Sequence, residues 1–119
     1  IWLSIKENDK VIALGSLDII NKVTLSGHPL VIPEYRGDSL RIMNCVFNWF
    51  ISEDHSYIKL IAEVPSLFKK VMSFAERAGF NYEGTRTNSY MKNGAIYDVN
   101  LYGITKSELK ARFQNAQRK

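Results

Sequence analysis

The run from Ile58 to Gly103 changes its hydrophobic period twice and carries turn chemistry at each change. Its first part, IKLIAEVP, alternates as a strand does, and Pro65 then suits the first turn of a helix, where no intrahelical N–H bond is lost. The next part, SLFKKVMSFAERAGF, sets Leu67, Val71, Phe74, Ala75 and Ala78 on one helical face. Gly79 is placed to end that helix in the left-handed conformation, with Phe80 folding back as the apolar contact. Two β-rich stretches follow on either side of Asn93-Gly94, the dipeptide best suited to a two-residue type I′ hairpin turn. Pairing about that turn sets Tyr90 opposite Tyr97 and Ser89 opposite Asp98. The second half therefore reads strand, helix, strand, hairpin, strand.

The first half supplies the rest of a sheet. Trp2-Leu3-Ser4-Ile5 alternates, Asn8-Asp9-Lys10 is turn-like, and Val11 to Ile20 is apolar enough for a buried central strand. A further strand runs from Val23 to Ile32 and stops at Pro33, which cannot donate to a ladder. Asp38 or Ser39 then caps a helix with Leu40, Met43, Val46, Phe47 and Phe50 as its apolar positions. A strand that passes into a helix through Arg36-Gly37 can cradle a phosphate, because the first N–H groups of a helix are unpaired and carry partial positive charge. The same turn can equally be self-capped by Asp38.

Taken together, Val31-Ile32-Pro33-Glu34-Tyr35-Arg36-Gly37, Val64-Pro65, Ala78-Gly79-Phe80, Glu83-Gly84, Arg86, Asn93-Gly94, Asp98 and Leu101-Tyr102-Gly103 stand in a telling order. That ordered set, covering about Trp2 to Gly103, resembles the GCN5-related N-acetyltransferase (GNAT) superfamily, especially the ribosomal-protein-alanine type and short phage-encoded relatives. The resemblance implies an α/β (α+β) domain, with a mixed, mostly antiparallel sheet, a splayed central strand pair and flanking helices. It places the domain at residues 1–104, with a basic C-terminal helix or tail at 105–119. A complete member would carry a further strand and one or two helices before the first strand seen here.

Composition limits the alternatives. A chain of 119 residues that is 45% hydrophobic supports one domain with a real core, and no low-complexity linker divides it. No apolar stretch approaches the roughly 18 residues needed to cross a bilayer, so a cytoplasmic protein without membrane partners is expected, in the host cytoplasm or a virion if phage-encoded. Cys45 is alone; beside Ile42, Val46 and Trp49 it reads as a small core residue. Two histidines far from that cysteine offer no metal-ligand cluster. Beyond Gly103, Lys106, Lys110, Arg112, Arg118 and Lys119 stand against Glu108, so the whole net charge of +4 resides there. The preceding residues balance 11 basic against 11 acidic side chains, which argues against a nucleic-acid-binding face on the domain.

The resemblance also assigns chemistry: acetyl-CoA donates the acetyl group and an amine attacks the thioester directly. Backbone N–H groups at Val31 and Ile32 would polarise the carbonyl. Arg36, Gly37, Ser39 and Arg41 would hold the pyrophosphate, although the family pattern Arg/Gln-x-x-Gly-x-Gly/Ala has Ser39 and Arg41 in place of its glycines, and Asp38 brings a carboxylate to the phosphates. His28 and Glu63 are the candidate bases. The first has an unperturbed pKa of about 6.5 and sits between Gly27 and Pro29; the second lies near the end of the strand that closes at Pro65. His55, in a Ser/Glu/Asp-rich turn, reads as exposed. Where the family carries an Asn for the CoA arm and a Tyr for the departing thiolate, this chain has Phe68 and Ala75. The competing expectation is accordingly a catalytically degenerate GNAT-fold structural or interaction protein, such as a virion component. Self-association through a sheet edge or the splayed strand pair is compatible with either.

Overall fold

A computed structural model describes residues 1–31 and 37–117. The elements in chain order are β1 (Trp2–Glu7), β2 (Lys10–Ile19), β3 (Thr24–Val31), α1 (Ser39–Ser52), β4 (Lys59–Pro65), α2 (Lys69–Ala78), β5 (Asn81–Lys92), β6 (Ala95–Thr105) and α3 (Lys106–Gln117). The strands form one sheet in the order β1-β2-β3-β4-β6-β5, with β3 and β4 parallel and the other described neighbours antiparallel. This is the expected mixed, mostly antiparallel sheet.

Local chemistry explains most boundaries. Asn8 and Asp9 both take positive φ, 52° and 66°, which makes a twist-matched turn between β1 and β2. Asn93 and Gly94 do the same between β5 and β6, at 53° and 78°. Gly79 ends α2 at φ 103°; its N–H donates to the Glu76 carbonyl, and the Phe80 N–H donates to the Ala75 carbonyl. That is the reciprocal glycine cap expected there. Arg112 of α3 completes it, donating to the carbonyls of Ala78 at 2.9 Å and Gly79 at 3.2 Å. The guanidinium sits where a side chain at residue 79 would project, so a larger residue there would displace Arg112 as well as strain the positive φ.

Four expectations need correction. Pro65 ends β4, opposite Val99 of β6, and α2 starts only at Lys69. The Ser66 N–H still donates to the Asp98 carbonyl, so β6 holds the chain extended past the proline. Ser89 does not face Asp98: the β5 register shifts between Arg86 and Tyr90, and the Asp98 carboxylate accepts instead from the Asn88 N–H at 2.9 Å. Tyr90 does pair with Tyr97. Cys45 is exposed, because α1 turns Ile42, Val46, Phe47 and Phe50 inward and leaves Cys45 on the other side. His55 is half-buried, with its ring 5.2 to 5.5 Å from those of Phe50, Trp49 and Tyr57, and its Nδ1 accepts the Tyr57 N–H.

One face of the sheet carries the core. Leu17, Leu25, Leu60 and Ile104 meet Phe47 and Phe50 of α1, Ala78 of α2 and Leu109 of α3 in a single buried cluster, so all three helices pack on that face. Strand alternation turns Lys59, Ile61 and Glu63 to the opposite face, where Lys59 pairs with Glu83 at 2.7 Å. Trp2 on that face is 75% exposed.

The basic C-terminal segment is helix α3, and it is anchored through Leu109 and Phe113. Thr105 and Glu108 form a capping box: the Thr105 hydroxyl accepts the Glu108 N–H at 3.2 Å and the Glu108 carboxylate accepts the Thr105 N–H at 3.0 Å. The Thr105 backbone N–H, its hydroxyl and then Asn81 hold the Glu108 carboxyl below its ordinary range. Its contribution is therefore complete above the unfolded-state pKa and is lost as pH falls through the folded value. Thr105→Ala is expected to cost about 1 kcal/mol in urea unfolding at neutral pH. The deficit should narrow on acidification, and an equal deficit at every pH would refute the reciprocal cap.

Candidate functional site

The site arises where the sheet stops being continuous. β3 and β4 pair only through Thr24–Lys59, Leu25–Leu60 and Ser26–Ile61. After that β3 continues against β2 as far as Val31 opposite Ala13, and β4 continues against β6 as far as Pro65 opposite Val99. Each strand follows its antiparallel neighbour, and the parallel pair splays. The inner backbone edges beyond Ser26 and Ile61 lose their ladder partner, so N–H and carbonyl groups are offered to whatever enters the gap.

Over the gap, between α1 and α2, lies an apolar cavity of about 270 Å³. Met43 and Val46 of α1 face Val71, Phe74 and Ala75 of α2 across it. Glu63 is the charged residue in its described lining. A wider hollow of about 750 Å³ shares Met43, Val46, Val71 and Phe74 with it. The cleft thus continues outward to Gly37 and Ser39 at the start of α1, and to Lys70 and Arg77 on α2. An elongated ligand with an apolar arm and an anionic head fits this gradient of polarity.

The candidate residues distribute unevenly. Gly37 and Ser39 line the outer hollow. Arg41 turns instead to β1 and its own helix start, 3.2 Å from the Asp38 carboxylate and 3.3 Å from Glu7. The hydrogen bond to Asp38, and then that to Glu7, push the Arg41 guanidinium above its ordinary pKa range. Asp38 makes no side-chain cap to α1, its carboxylate being given to Arg41. Ile32 and Arg36 lie outside the described residues, as do the side chains of His28 and Val31. The His28 backbone pairs with Ser16 in the β2–β3 register.

Glu63 sits just past the divergence, on the strand edge that lines the cavity, with its side chain exposed and 3.4 Å from Arg86 of β5. Phe68 lines the cavity and packs edge-on to Tyr90 at 6.2 Å, with the Lys92 ammonium 5.0 Å from its ring centre. Ala75 is buried against Val64 and Tyr102. Tyr102 donates its hydroxyl proton to Glu76 at 3.3 Å, and burial, then the Glu76 charge, raise its pKa. A phenol held protonated thus packs beside Ala75. Among the described residues, no three His, Cys, Asp or Glu side chains converge as metal ligands would. No described helix is long and apolar enough to cross a membrane.

Solved structures share this architecture. Mutant forms of the spermidine/spermine N-acetyltransferase SpeG from Vibrio cholerae superpose with a TM-score of 0.80 at 22% identity, over 93% of this chain and 69% of that one. The same enzyme in complex with manganese ions gives 0.79 at 22% identity, over 93% and 68%. The smu.2055 protein from Streptococcus mutans UA159 gives 0.72 at 19% identity, over 88% and 69%. The fold is that of the GNAT superfamily. At these identities the likeness establishes the fold alone. No protein-family model matches the sequence. No curated protein sequence matches it either.

Sequence reasoning missed the partnership of Glu63 with Arg86, and the role of Met43, Val71 and Phe74 as cleft walls rather than core. Helical spacing marked all three as apolar-face residues, and nothing in periodicity separates a face packed on a sheet from one that borders a gap. Both side chains of the Glu63–Arg86 pair are about half exposed, so the pair contributes at most about 1 kcal/mol. Glu63→Gln and Arg86→Ala should therefore each unfold within about 1 kcal/mol of the parent in urea. A larger loss would make Glu63 a structural residue first.

Proposed function

We propose that this chain is an acyl-CoA-dependent N-acetyltransferase that moves an acetyl group from acetyl-CoA to an amine. The observation that carries the reading is the splayed parallel pair with the cleft running over it. That gap offers unpaired backbone to an amide-bearing arm, apolar walls to the arm's carbon chain, and the α1 N-terminus to an anionic head. The helices cover one face of the sheet, and Glu63 points to the other. A thioester lying under the helices would thus be approached by the amine from the opposite side, within reach of a carboxylate base. The C–N bond forms, the C–S bond breaks, and Glu63 takes the proton that the nitrogen sheds. His28 is the second candidate base. The CoA thiolate then departs without a tyrosine at residue 75 to protonate it, a thiol being a tolerable leaving group. The neighbours' substrates and the resemblance of the sequence make polyamines and a ribosomal-protein N-terminal alanine peptide the first acceptors to try.

A second reading has its own support. Arg41 is already neutralised by Asp38 and Glu7, and the glycines of the phosphate-loop pattern are replaced. Both facts favour a GNAT-fold interaction module that has given up the cofactor, whether in a virion or elsewhere.

Melting with and without acetyl-CoA separates the two. Ligand at 100 times its dissociation constant adds roughly 2.7 kcal/mol, several degrees for a domain of this size. We expect a saturable upward shift that Val71→Glu abolishes, since Val71 borders both parts of the cleft and is 49% exposed. No shift at millimolar ligand would favour the interaction module, and an undiminished shift in the variant would place the ligand elsewhere. With an acceptor in hand, Glu63→Gln should lower turnover by about 10²-fold or more while leaving acetyl-CoA affinity nearly unchanged.

A further inference from the structure

We infer that the donor site is not limited to acetyl and prefers a somewhat longer short aliphatic acyl group, with its chain seated at the closed end of the cavity. This rests on the reading of the cleft as a thioester site and specifies the substrate class of that site.

The closed end is the point where the two strands rejoin at Ser26 and Ile61. The first residue past the divergence is Gly27 on β3 and Ala62 on β4, and both line the cavity. Across from them, α2 presents Ala75. Small side chains therefore surround the place where the ladder ends, and Leu17, Leu60 and Phe80 complete the wall without a polar side chain. Glycine at residue 27 serves no conformational need, because its φ is outside the left-handed region. Nor is it forced by packing, since a Cβ there would meet only Leu17 Cδ2 at 3.6 Å, an ordinary contact. What the missing side chain leaves open is cavity. The side chains around it are apolar, so an aliphatic group entering there buries its surface against them. With the carbon chain of the CoA arm along the outer walls, acetyl would bring only a methyl to the end beside Gly27 and Ala62. A propionyl, butyryl or branched equivalent would fill the end beside Gly27 and Ala75. A dicarboxylic acyl group would bury its charge against Leu17, Leu60 and Phe80 without a counter-ion.

The test is a calorimetric series on the full chain with free CoA, acetyl-CoA, propionyl-CoA, butyryl-CoA and succinyl-CoA. Each methylene buried should tighten binding about fourfold, so butyryl-CoA should bind about fifteenfold tighter than acetyl-CoA. Succinyl-CoA should gain nothing over free CoA. Gly27→Val, which places two methyl groups at the closed end, should reverse the order of acetyl and butyryl; should that variant fail to fold, the parent series decides alone. Acetyl-CoA binding as tightly as butyryl-CoA, or an undiminished butyryl preference in Gly27→Val, would overturn the inference while leaving the thioester reading intact. Binding of none of the five compounds would overturn both.

Discussion

The opening of the candidate cleft depends on three residue pairs. Thr24–Lys59, Leu25–Leu60 and Ser26–Ile61 are the described ladder by which β3 and β4 join the two halves of the sheet. Each of those strands has an antiparallel partner on its outer side that runs seven residues long. Since adjacent strands twist relative to one another, two strongly held hairpin halves need not stay in register across a weakly held seam. The seam opens, and the opening supplies the backbone groups and apolar walls of the cleft. A longer parallel ladder would close the cavity.

The helices keep that seam from becoming a defect. Phe47 and Phe50 of α1 and Leu109 of α3 are fully buried over the joined ends of β3, β4 and β6, so the core is densest where the strands meet. Burying a large apolar side chain contributes about 1.5 to 3 kcal/mol. The cluster thus clamps the closed end of the gap, while α1 and α2 border the open end with Met43, Val46, Val71 and Phe74. Helix α3 strengthens the clamp from outside: its Arg112 ends α2 and its Glu108 reaches Asn81 at the start of β5. A basic segment that reads in the sequence as a helix or a tail is a helix and part of the frame.

Much of this was legible from residues. The Asn-Gly and Gly79 turns declare themselves because only certain backbones tolerate positive φ, and both were found where the sequence put them. Strand and helix order followed from period. Reading failed where a tertiary partner overrode local preference. Pro65 has the chemistry of a helix start, but β6 held the chain in the ladder. Ser89 counts as the partner of Asp98 until the bulge before Tyr90 is seen. Cys45 and His55 were misjudged because a helix face cannot be assigned by neighbours in sequence alone, and because aromatic rings from α1 and Tyr57 enclose a turn that reads as polar. Among candidate site residues, Glu63 lines the gap, whereas Arg41 is claimed by two carboxylates, one of them 34 residues away on β1.

The sequence by itself determined the kinds of elements, their order and the turns between them, because backbone dihedrals and hydrophobic period are local properties. It also determined, through resemblance, which fold those elements assemble into. Only the tertiary structure decided how far the central ladder extends, which apolar side chains face a cleft instead of a core, and which charges are already neutralised. Those outcomes depend on the competition between neighbours distant in the chain. A strand follows the partner that holds it along more of its length, and a guanidinium turns to whichever carboxylates the fold brings within reach.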